Sequence, residues 1–509
     1  MKILKTLRVI LAVLSITAIT LVFVDFTGVA AGYLSWLPKI QLVPALLALN
    51  VVALAILAAL TLLAGRVYCS VICPLGIWQD IVNYLRHIFT SRKKRRLGRF
   101  RYEAASTRLR IGFLIVFAVL LALGLAGVIA TSLAGILDPY SAYGRMAGQF
   151  AVPLWRSGMS MLADKAAESG HFIIDAYPAA AAFNIGVLAV AIVTFVVTTS
   201  MAWAGGRAYC NKVCPVGTIL GFLSRYSLLR ITIDTDRCNR CGSCGRKCKA
   251  SCIDTKNHIV DISRCVDCMD CIGACSQGAI SFAPRRKATV GNPTSAPDTR
   301  RRAFLVGSTI MAGSLALRAA DKATDGGLAP IKAKKPVAGA APAVPPGAIS
   351  VAHLRSHCTA CQLCISACPN GVLKPSSSLN SFMQPVMEFT AGYCRPECTA
   401  CADICPAGAI KSISAEEKTA VKIGTAVVNP DICISAAYGQ HCGSCARHCP
   451  TQAITMVKTD NGNKRPAVDE TRCIGCGSCE YHCPSGAAGQ ISASTAAIHV
   501  EGSSVHTVI

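Results

Sequence analysis

Cysteines recur in this chain in groups of four, stepping by three, three and four residues. Four groups are regular: Cys238, Cys241, Cys244, Cys248; Cys265, Cys268, Cys271, Cys275; Cys358, Cys361, Cys364, Cys368; and Cys473, Cys476, Cys479, Cys483. Two looser groups lie between the last two: Cys394, Cys398, Cys401, Cys405, with one extra residue in its first gap, and Cys433, Cys442, Cys445, Cys449, with eight residues there. Three thiolates this close can wrap three irons of one iron–sulfur cubane, while the fourth projects to a neighbouring cluster, as in two-cluster ferredoxins. Zinc sites instead separate two Cys-x-x-Cys pairs. The spacing therefore predicts six [4Fe–4S] clusters, which are one-electron carriers.

In the first pair of quartets, the ligand exchange predicts one cluster on Cys238, Cys241, Cys244 and Cys275, and another on Cys265, Cys268, Cys271 and Cys248. For the last four quartets, exchange between neighbours and exchange of first with fourth and second with third fit equally well. Those four end in Cys-Pro, whereas Cys248 and Cys275 are followed by Lys249 and Ser276.

Two further pairs stand in a repeat: GRVYCSVICPLG at 65–76 and GRAYCNKVCPVG at 206–217 align Cys69 and Cys73 with Cys210 and Cys214. A spacing of four puts both thiols of a pair on one helix face. Three chemistries fit: four thiolates sharing one cluster if the repeats meet, two redox dithiols, or helix breaks set by Pro74 and Pro215. Cys252 completes the 29 cysteines. It stands four places after a quartet's end, where the other quartets have Ala279, Val372, Ala409, Ala453 and Ala487, so it reads as a buried packing residue.

The elements that must position these thiols begin with four apolar stretches, Leu7 to Ala30, Leu42 to Ala64, Leu109 to Leu137 and Ala181 to Trp203. Each is near the roughly 20 residues that a helix needs to cross a bilayer. Lys2, Lys5 and Arg8 precede the first, and Arg92, Lys93, Lys94, Arg95, Arg96, Arg99 and Arg101 lie between the second and third. The positive-inside rule puts both regions in the cytoplasm. The loop from Asp138 to Pro178 has no basic excess and is expected outside. Two repeated hairpins result, with both Cys-x-x-x-Cys-Pro motifs at cytoplasmic ends.

The expected organisation is a four-helix transmembrane domain over 1–230 and a cytoplasmic two-cluster ferredoxin over 231–285. A connecting segment over 286–349 and a four-cluster domain over 350–509 follow. In the connecting segment Arg301, Arg302, Phe304 and Leu305 resemble a twin-arginine export signal, and the apolar run Ala303 to Leu317 has the length of a signal's h-region. The Ala- and Pro-rich stretch from Asp321 to Gly347 reads as a tether, with cleavage near Ala319 or Ala340 as the alternative.

A net charge of +24 would suit nucleic acid, but the basic residues flank apolar spans and are not interleaved with aromatics, so nucleic acid is not an expected partner. No Cys-x-x-Cys-His occurs, which argues against attached haem. His441, His448 and His482 adjoin quartets that already supply four thiolates each. No nucleophile triad or phosphate-cradling loop stands out.

With these motifs in view, residues 1 to about 285 resemble the NapH- and MauN-type membrane subunits of quinol dehydrogenases, and the membrane part of NosR. The segment from the twin-arginine-like stretch to Ile509 resembles the NapG- and MauM-type four-cluster ferredoxins. Together they read as a fusion: a transmembrane helical bundle of two hairpins plus α+β ferredoxin modules of bacterial two-cluster type. The resemblance implies a multi-pass protein of a bacterial cytoplasmic membrane with its C-terminal domain in the periplasm. It further implies quinol oxidation from the quinone pool and electron delivery to a periplasmic reductase or other acceptor. Asp138 with Tyr140, just past the third span, is the candidate quinone site at the outer surface. An assembly factor that reduces a partner's metal site or disulfide, and a relay fed by cytoplasmic ferredoxin without quinone, are the competing readings.

Overall fold

The computed structural model describes residues 2–25, 29–90, 100–168, 185–284, 324–325, 329–330, 334–459, 462–485 and 495–509. Arg301, Arg302 and the apolar run after them lie outside the described residues, as does the basic stretch 91–99.

Three described helices are long and apolar enough to cross a membrane by length and composition: Ile3–Val24, Thr107–Leu125 and Ile185–Gly205. Their outward faces carry exposed Ile10, Leu14, Ile115, Val119, Val193 and Val196, an apolar belt that only lipid would cover without cost. The second expected span, Leu42 to Ala64, is instead two helices, Leu42–Leu47 and Val51–Ala64. The break has a local cause. Leu49 takes a left-handed φ of 52°, and Asn50 then caps the second helix by accepting the Ala53 N–H at 3.1 Å. At about 1.5 Å per residue the 14-residue helix covers only about 21 Å, so it is shorter than the span read from sequence. The third span likewise stops at Leu125, followed by Gly127 at φ 76°, and does not run to Leu137.

After each Cys-x-x-x-Cys pair a proline at the first turn starts a new helix, Pro74–Phe89 and Pro215–Ser224. There the missing N–H costs nothing. A short helix, Pro139–Met146, is buried along its whole length against the helices Pro74–Phe89 and Ile185–Gly205.

The ferredoxin modules follow one plan. Antiparallel strands Leu229–Ile233 and Ile280–Pro284 close the first, around helices Ser243–Lys247 and Asp270–Ala274. Helices Leu363–Ala367 and Ala400–Ile404 pair in the second. The third holds Ser444–Arg447 and Ser478–Tyr481, and it is closed by Val421–Val428 against Ile498–Val508.

The modules meet opposite ends of these long apolar helices. At one end Lys5 pairs with Asp270 at 2.8 Å, the Arg66 N–H reaches Asp267 at 2.8 Å, and the Arg207 N–H donates to the Lys249 carbonyl at 2.8 Å. At the other end Thr131 accepts the approach of the second module, its N–H donating to the Arg355 carbonyl at 3.1 Å, and Val187 clusters with Ala360 and Met383. Gly135 and Gly144 make this contact possible, because a Cβ on them would stand 2.3 and 2.5 Å from the Thr359 and Cys361 carbonyl oxygens.

Asp80 is the hub of the first end. It takes a bidentate fork from Arg207 at 2.8 and 2.7 Å, pairs with Lys249 at 3.0 Å and also meets Arg8. Burial alone would push this carboxyl up, but Arg207, Lys249 and Arg8 outweigh it and hold it far below the usual carboxylate range. Asp80→Ala should therefore destabilise the protein by roughly 3–5 kcal/mol, since it strands buried cations. A carboxylate with a depressed pKa stabilises the fold fully above its unfolded value near 4 and loses that effect only as pH falls toward the depressed value. Thermal unfolding in detergent should thus show the mutational loss at every pH above about 4, with the gap to wild type closing in stronger acid. An unchanged midpoint at pH 7 would contradict this role.

Candidate functional site

Each quartet builds the same local trap for anions. Its third cysteine sits in a one-turn helix: Cys244, Cys271, Cys364, Cys401, Cys445 and Cys479 all do. In the regular quartets the residues just before the second cysteine and just after it are left-handed: Arg240 and Gly242, Asp267 and Met269, Ala360 and Gln362, Gly475 and Gly477. Left-handed φ in non-glycine residues is uncommon and marks a chain bent for a purpose. Alternating backbone handedness turns successive N–H groups inward, as in anion-binding nests. In the irregular quartets the matching positions lack it, with Thr399 at φ −105° and Gly443 at 160°. The odd gap is absorbed there by a differently bent loop.

The fourth cysteine of each quartet turns away to a partner. Four cavities are each lined by three cysteines of one quartet and the last of another. One holds Cys238, Cys241, Cys244 and Cys275; its neighbour holds Cys265, Cys268, Cys271 and Cys248. Another holds Cys394, Cys398, Cys401 and Cys368, and the fourth holds Cys433, Cys442, Cys445 and Cys483. Cys405 lies within electrostatic range of Cys358, Cys361 and Cys364, and Cys449 within range of Cys476 and Cys479. The choice left open by spacing thus falls to exchange between adjacent quartets.

These cradles fit a cubane better than a single ion. Among the described residues no three Cys, His, Asp or Glu side chains converge on one point as zinc requires, while four sulfurs around a hollow suit the wider spread of an iron–sulfur cluster.

A chain of contacts links the thiol groups from one module to the next. Cys238 and Cys241 are at the surface of the first module, and the Cys265 group lies against the membrane helices through Asp267 and Lys249. Next come Cys69, Cys73, Cys210 and Cys214, all buried. Beyond them, the Tyr209 hydroxyl donates to the Leu137 carbonyl at 3.3 Å, one residue from Asp138. Buried Arg145 is within electrostatic range of both Asp138 and Cys361. The Cys394 N–H then donates to the Cys476 carbonyl at 2.9 Å, which sets the second module against the third.

Asp138 and Tyr140 lie at the end that meets the second module, as placed past the third span, but they are not open to lipid. Both are 1% exposed, and Asp138 accepts the Ser141 N–H at 2.8 Å and the Ser141 hydroxyl at 2.6 Å as the cap of the helix Pro139–Met146. The chain folds back inward after Leu125, so these residues lie between helices and present no face to lipid. Cys252 is buried as expected, but its Sγ is 3.5 Å from that of Cys248 and it lines the Cys265 cavity. His448 and His482 stack at 3.9 Å, 6° from parallel. The Ser444 and Ser478 hydroxyls donate reciprocally to the His482 and His448 carbonyls at 2.9 and 2.8 Å, so the imidazoles join the two halves of that module. His441 is exposed.

Arg66, Arg207, Gln79 and Asp80 were not singled out by motif reading. The arginines are in the repeat itself, GRVYC and GRAYC, which was the available signal. Lys249 was visible only as a missing proline.

The description 4Fe-4S dicluster domain matches residues 440–487, and 4Fe-4S binding domain matches residues 46–96 and 185–233. Each of the latter two stretches contains one Cys-x-x-x-Cys pair and no other cysteine. The chain is 33% identical over 143 residues to the methylamine utilization ferredoxin-type protein MauM of Methylobacillus flagellatus, covering 26% of this chain and 59% of that one. It is 28% identical over 188 residues to MauN of Paracoccus denitrificans, covering 37% and 49%. It is 22% identical over 239 residues to ferredoxin-type protein NapH of Escherichia coli, covering 45% and 66%. It thus spans about half to two thirds of the length of these relatives. No solved structure matches it. Similarity to NapH- and MauN-type proteins and to MauM in one chain is what the motif reading expects of a fusion.

The crossed geometry has a direct consequence. Cys483→Ala should abolish the same paramagnetic component of the dithionite-reduced protein as Cys442→Ala, and spare the one that Cys476→Ala abolishes. Electron paramagnetic resonance on the three variants checks this, and the opposite pattern would mean that each quartet serves its own cluster.

Proposed function

We propose that this chain, similar both to NapH- and MauN-type and to MauM-type ferredoxin proteins, is a membrane-bound iron–sulfur relay. In this reading it is a quinol dehydrogenase component that passes electrons to a reductase or other acceptor in the periplasm. The observation that carries the reading is the chain of contacts between thiol-lined sites, with ferredoxin modules held at opposite ends of the same membrane helices. Six crossed quartets would hold six clusters, which supply reversible one-electron transfer when bound. The protein's own part is to fix their order, to shield the inner ones, and to leave Cys238 and Cys241 accessible at one end.

This reading places the first module in the cytoplasm and residues 350–509 in the periplasm. The basic N-terminal end of Lys2–Val24 touches the first module, and the other end of the helix lies beside the second, where a Cβ on Gly144 would meet both Phe23 and the Cys361 carbonyl. An export signal at Arg301 and Arg302 would deliver the later modules across.

A relay charged by an acidic cytoplasmic carrier is the second reading, favoured by exposed Arg237, Arg240, Arg246 and Lys247 around the accessible Cys238 group. Reduction of a partner's disulfide by the membrane thiols is not favoured, because all four are buried and thiol exchange needs access.

Anaerobic proteoliposomes separate the first two readings: quinol addition should bleach the cluster absorbance, whereas bleaching that needs reduced ferredoxin and ignores quinol would favour the second. For topology, an export-dependent reporter fused after Ile509 should be active and lose its activity when Arg301 and Arg302 become lysine. Activity of a cytoplasm-only reporter at that position would overturn the split arrangement.

A further inference from the structure

The four membrane-domain cysteines are the site that the quartets do not account for. We propose that Cys69, Cys73, Cys210 and Cys214, two from each repeat, jointly hold a further [4Fe–4S] cluster at the junction of the repeats. The inference deepens the relay reading, since it supplies a redox site between the modules at the two ends.

The repeats meet by exchanging arginines. Arg66 Nη2 of the first donates to the Cys210 carbonyl at 3.3 Å and lies 3.8 Å from the Cys69 Sγ. Arg207 Nη1 of the second donates to the Cys69 carbonyl at 2.7 Å and lies 3.9 Å from the Cys210 Sγ. The two glycines of the repeat keep this junction tight. A Cβ on Gly76 would be 2.2 Å from the Cys69 carbonyl and 2.7 Å from Arg207; one on Gly217 would be 2.3 Å from the Cys210 carbonyl and 2.8 Å from Arg66. The pseudo-twofold match brings both Cys-x-x-x-Cys pairs to one place, each cysteine at most 4% exposed.

The surroundings are built for negative sulfur. Gln79 Nε2 donates to the Cys210 Sγ at 3.0 Å and the Gly217 N–H to the Cys214 Sγ at 3.3 Å. Counting the two guanidiniums, four donors face these sulfurs. A neutral thiol is a weak acceptor, whereas a thiolate welcomes such donors.

Charge balance points the same way. Arg66 is 0% exposed, and among the described residues no carboxylate pairs with its guanidinium. Its other partners are Asn211 Oδ1 at 2.9 Å and the Ser263 carbonyl at 3.1 Å, and Asp267 accepts only its backbone N–H. Arg207 shares the carboxylate of Asp80 with Arg8 and with Lys249, and Lys249 also pairs with Asp270 at 3.2 Å, a carboxylate that Lys5 pairs with too. Cations therefore outnumber carboxylates beside the thiols, and a buried cation without an anion is costly. Four thiolates around a cubane carry the net negative charge that meets this excess, and four protonated thiols do not.

A cluster here would accept one electron from a neighbouring cluster, which is oxidised as it is reduced, and pass that electron on. The helix Lys2–Val24, 23 residues long, sets the ends about 34 Å apart at 1.5 Å per residue. Tunnelling falls exponentially with distance, so an intermediate stop makes that gap usable.

The test uses the full chain, purified without oxygen. Iron and acid-labile sulfide should each approach about 28 per chain, against about 24 for the six quartets alone. Cys73→Ser with Cys214→Ser should lower both by about four. On the unmutated protein, mass-spectrometric mapping after maleimide treatment gives a readout independent of the variant's folding. Cys69, Cys73, Cys210 and Cys214 should be unreactive in the native protein and fully reactive, without reductant, once acid and chelator have removed iron. A content near 24 with these four cysteines reactive in the native state, or reactive only after disulfide reduction, would overturn the proposal and leave the six-cluster relay standing. A content well below 24 would instead count against the relay reading itself.

Discussion

One carboxylate ties the first ferredoxin module to the helices it meets. Asp80 takes charge-assisted hydrogen bonds from the second repeat through Arg207 and from the first ferredoxin module through Lys249, and it meets the N-terminal helix through Arg8. Three cations on one largely buried carboxylate is an expensive arrangement unless further negative charge is near, and Asp270 on Lys249 supplies only part of it. The neighbouring sulfurs are where that charge is expected. Position, electrostatics and cofactor are thus coupled: the contacts that seat the module against the membrane helices also set the field in which its clusters would work.

The two ends are joined to the membrane domain by different physics. The end at the first module uses ion pairs and buried guanidinium groups, whereas the end at the second uses close backbone approach at Gly135 and Gly144 and apolar contact at Val187, Ala360 and Met383. Ion pairs fix orientation, and close packing shortens the distance between redox sites. Either device keeps the chain of contacts between thiol sites continuous, and neither needs a large interface.

Departures from the regular quartet acquire a use in this setting. Lys249 stands where proline would be usual and serves as a docking cation. The irregular Cys394 and Cys433 quartets give up the doubly left-handed loop and still deliver their cysteines to crossed cavities. Cys252, beside Cys248, adds a polarizable group to the wall of the Cys265 cavity.

The six quartets, the doubled Cys-x-x-x-Cys-Pro motif and three helices long and apolar enough to cross a membrane were legible in spacing and hydropathy alone. These are local properties, because ligand steps of three and four residues and runs of apolar side chains are imposed by backbone geometry over a few turns. Sequence could not show that Leu49 and Asn50 split the second span, since a left-handed residue and a side-chain cap interrupt a helix without changing its hydropathy. It expected Asp138 and Tyr140 to be open to lipid because it could not see the chain folding back between helices. The pairing of the last four quartets, the exchange of Arg66 and Arg207 between repeats and the convergence of four distant thiols were decided only in three dimensions. They depend on which surfaces meet, and contacts between residues more than a hundred positions apart leave no periodic trace along the chain.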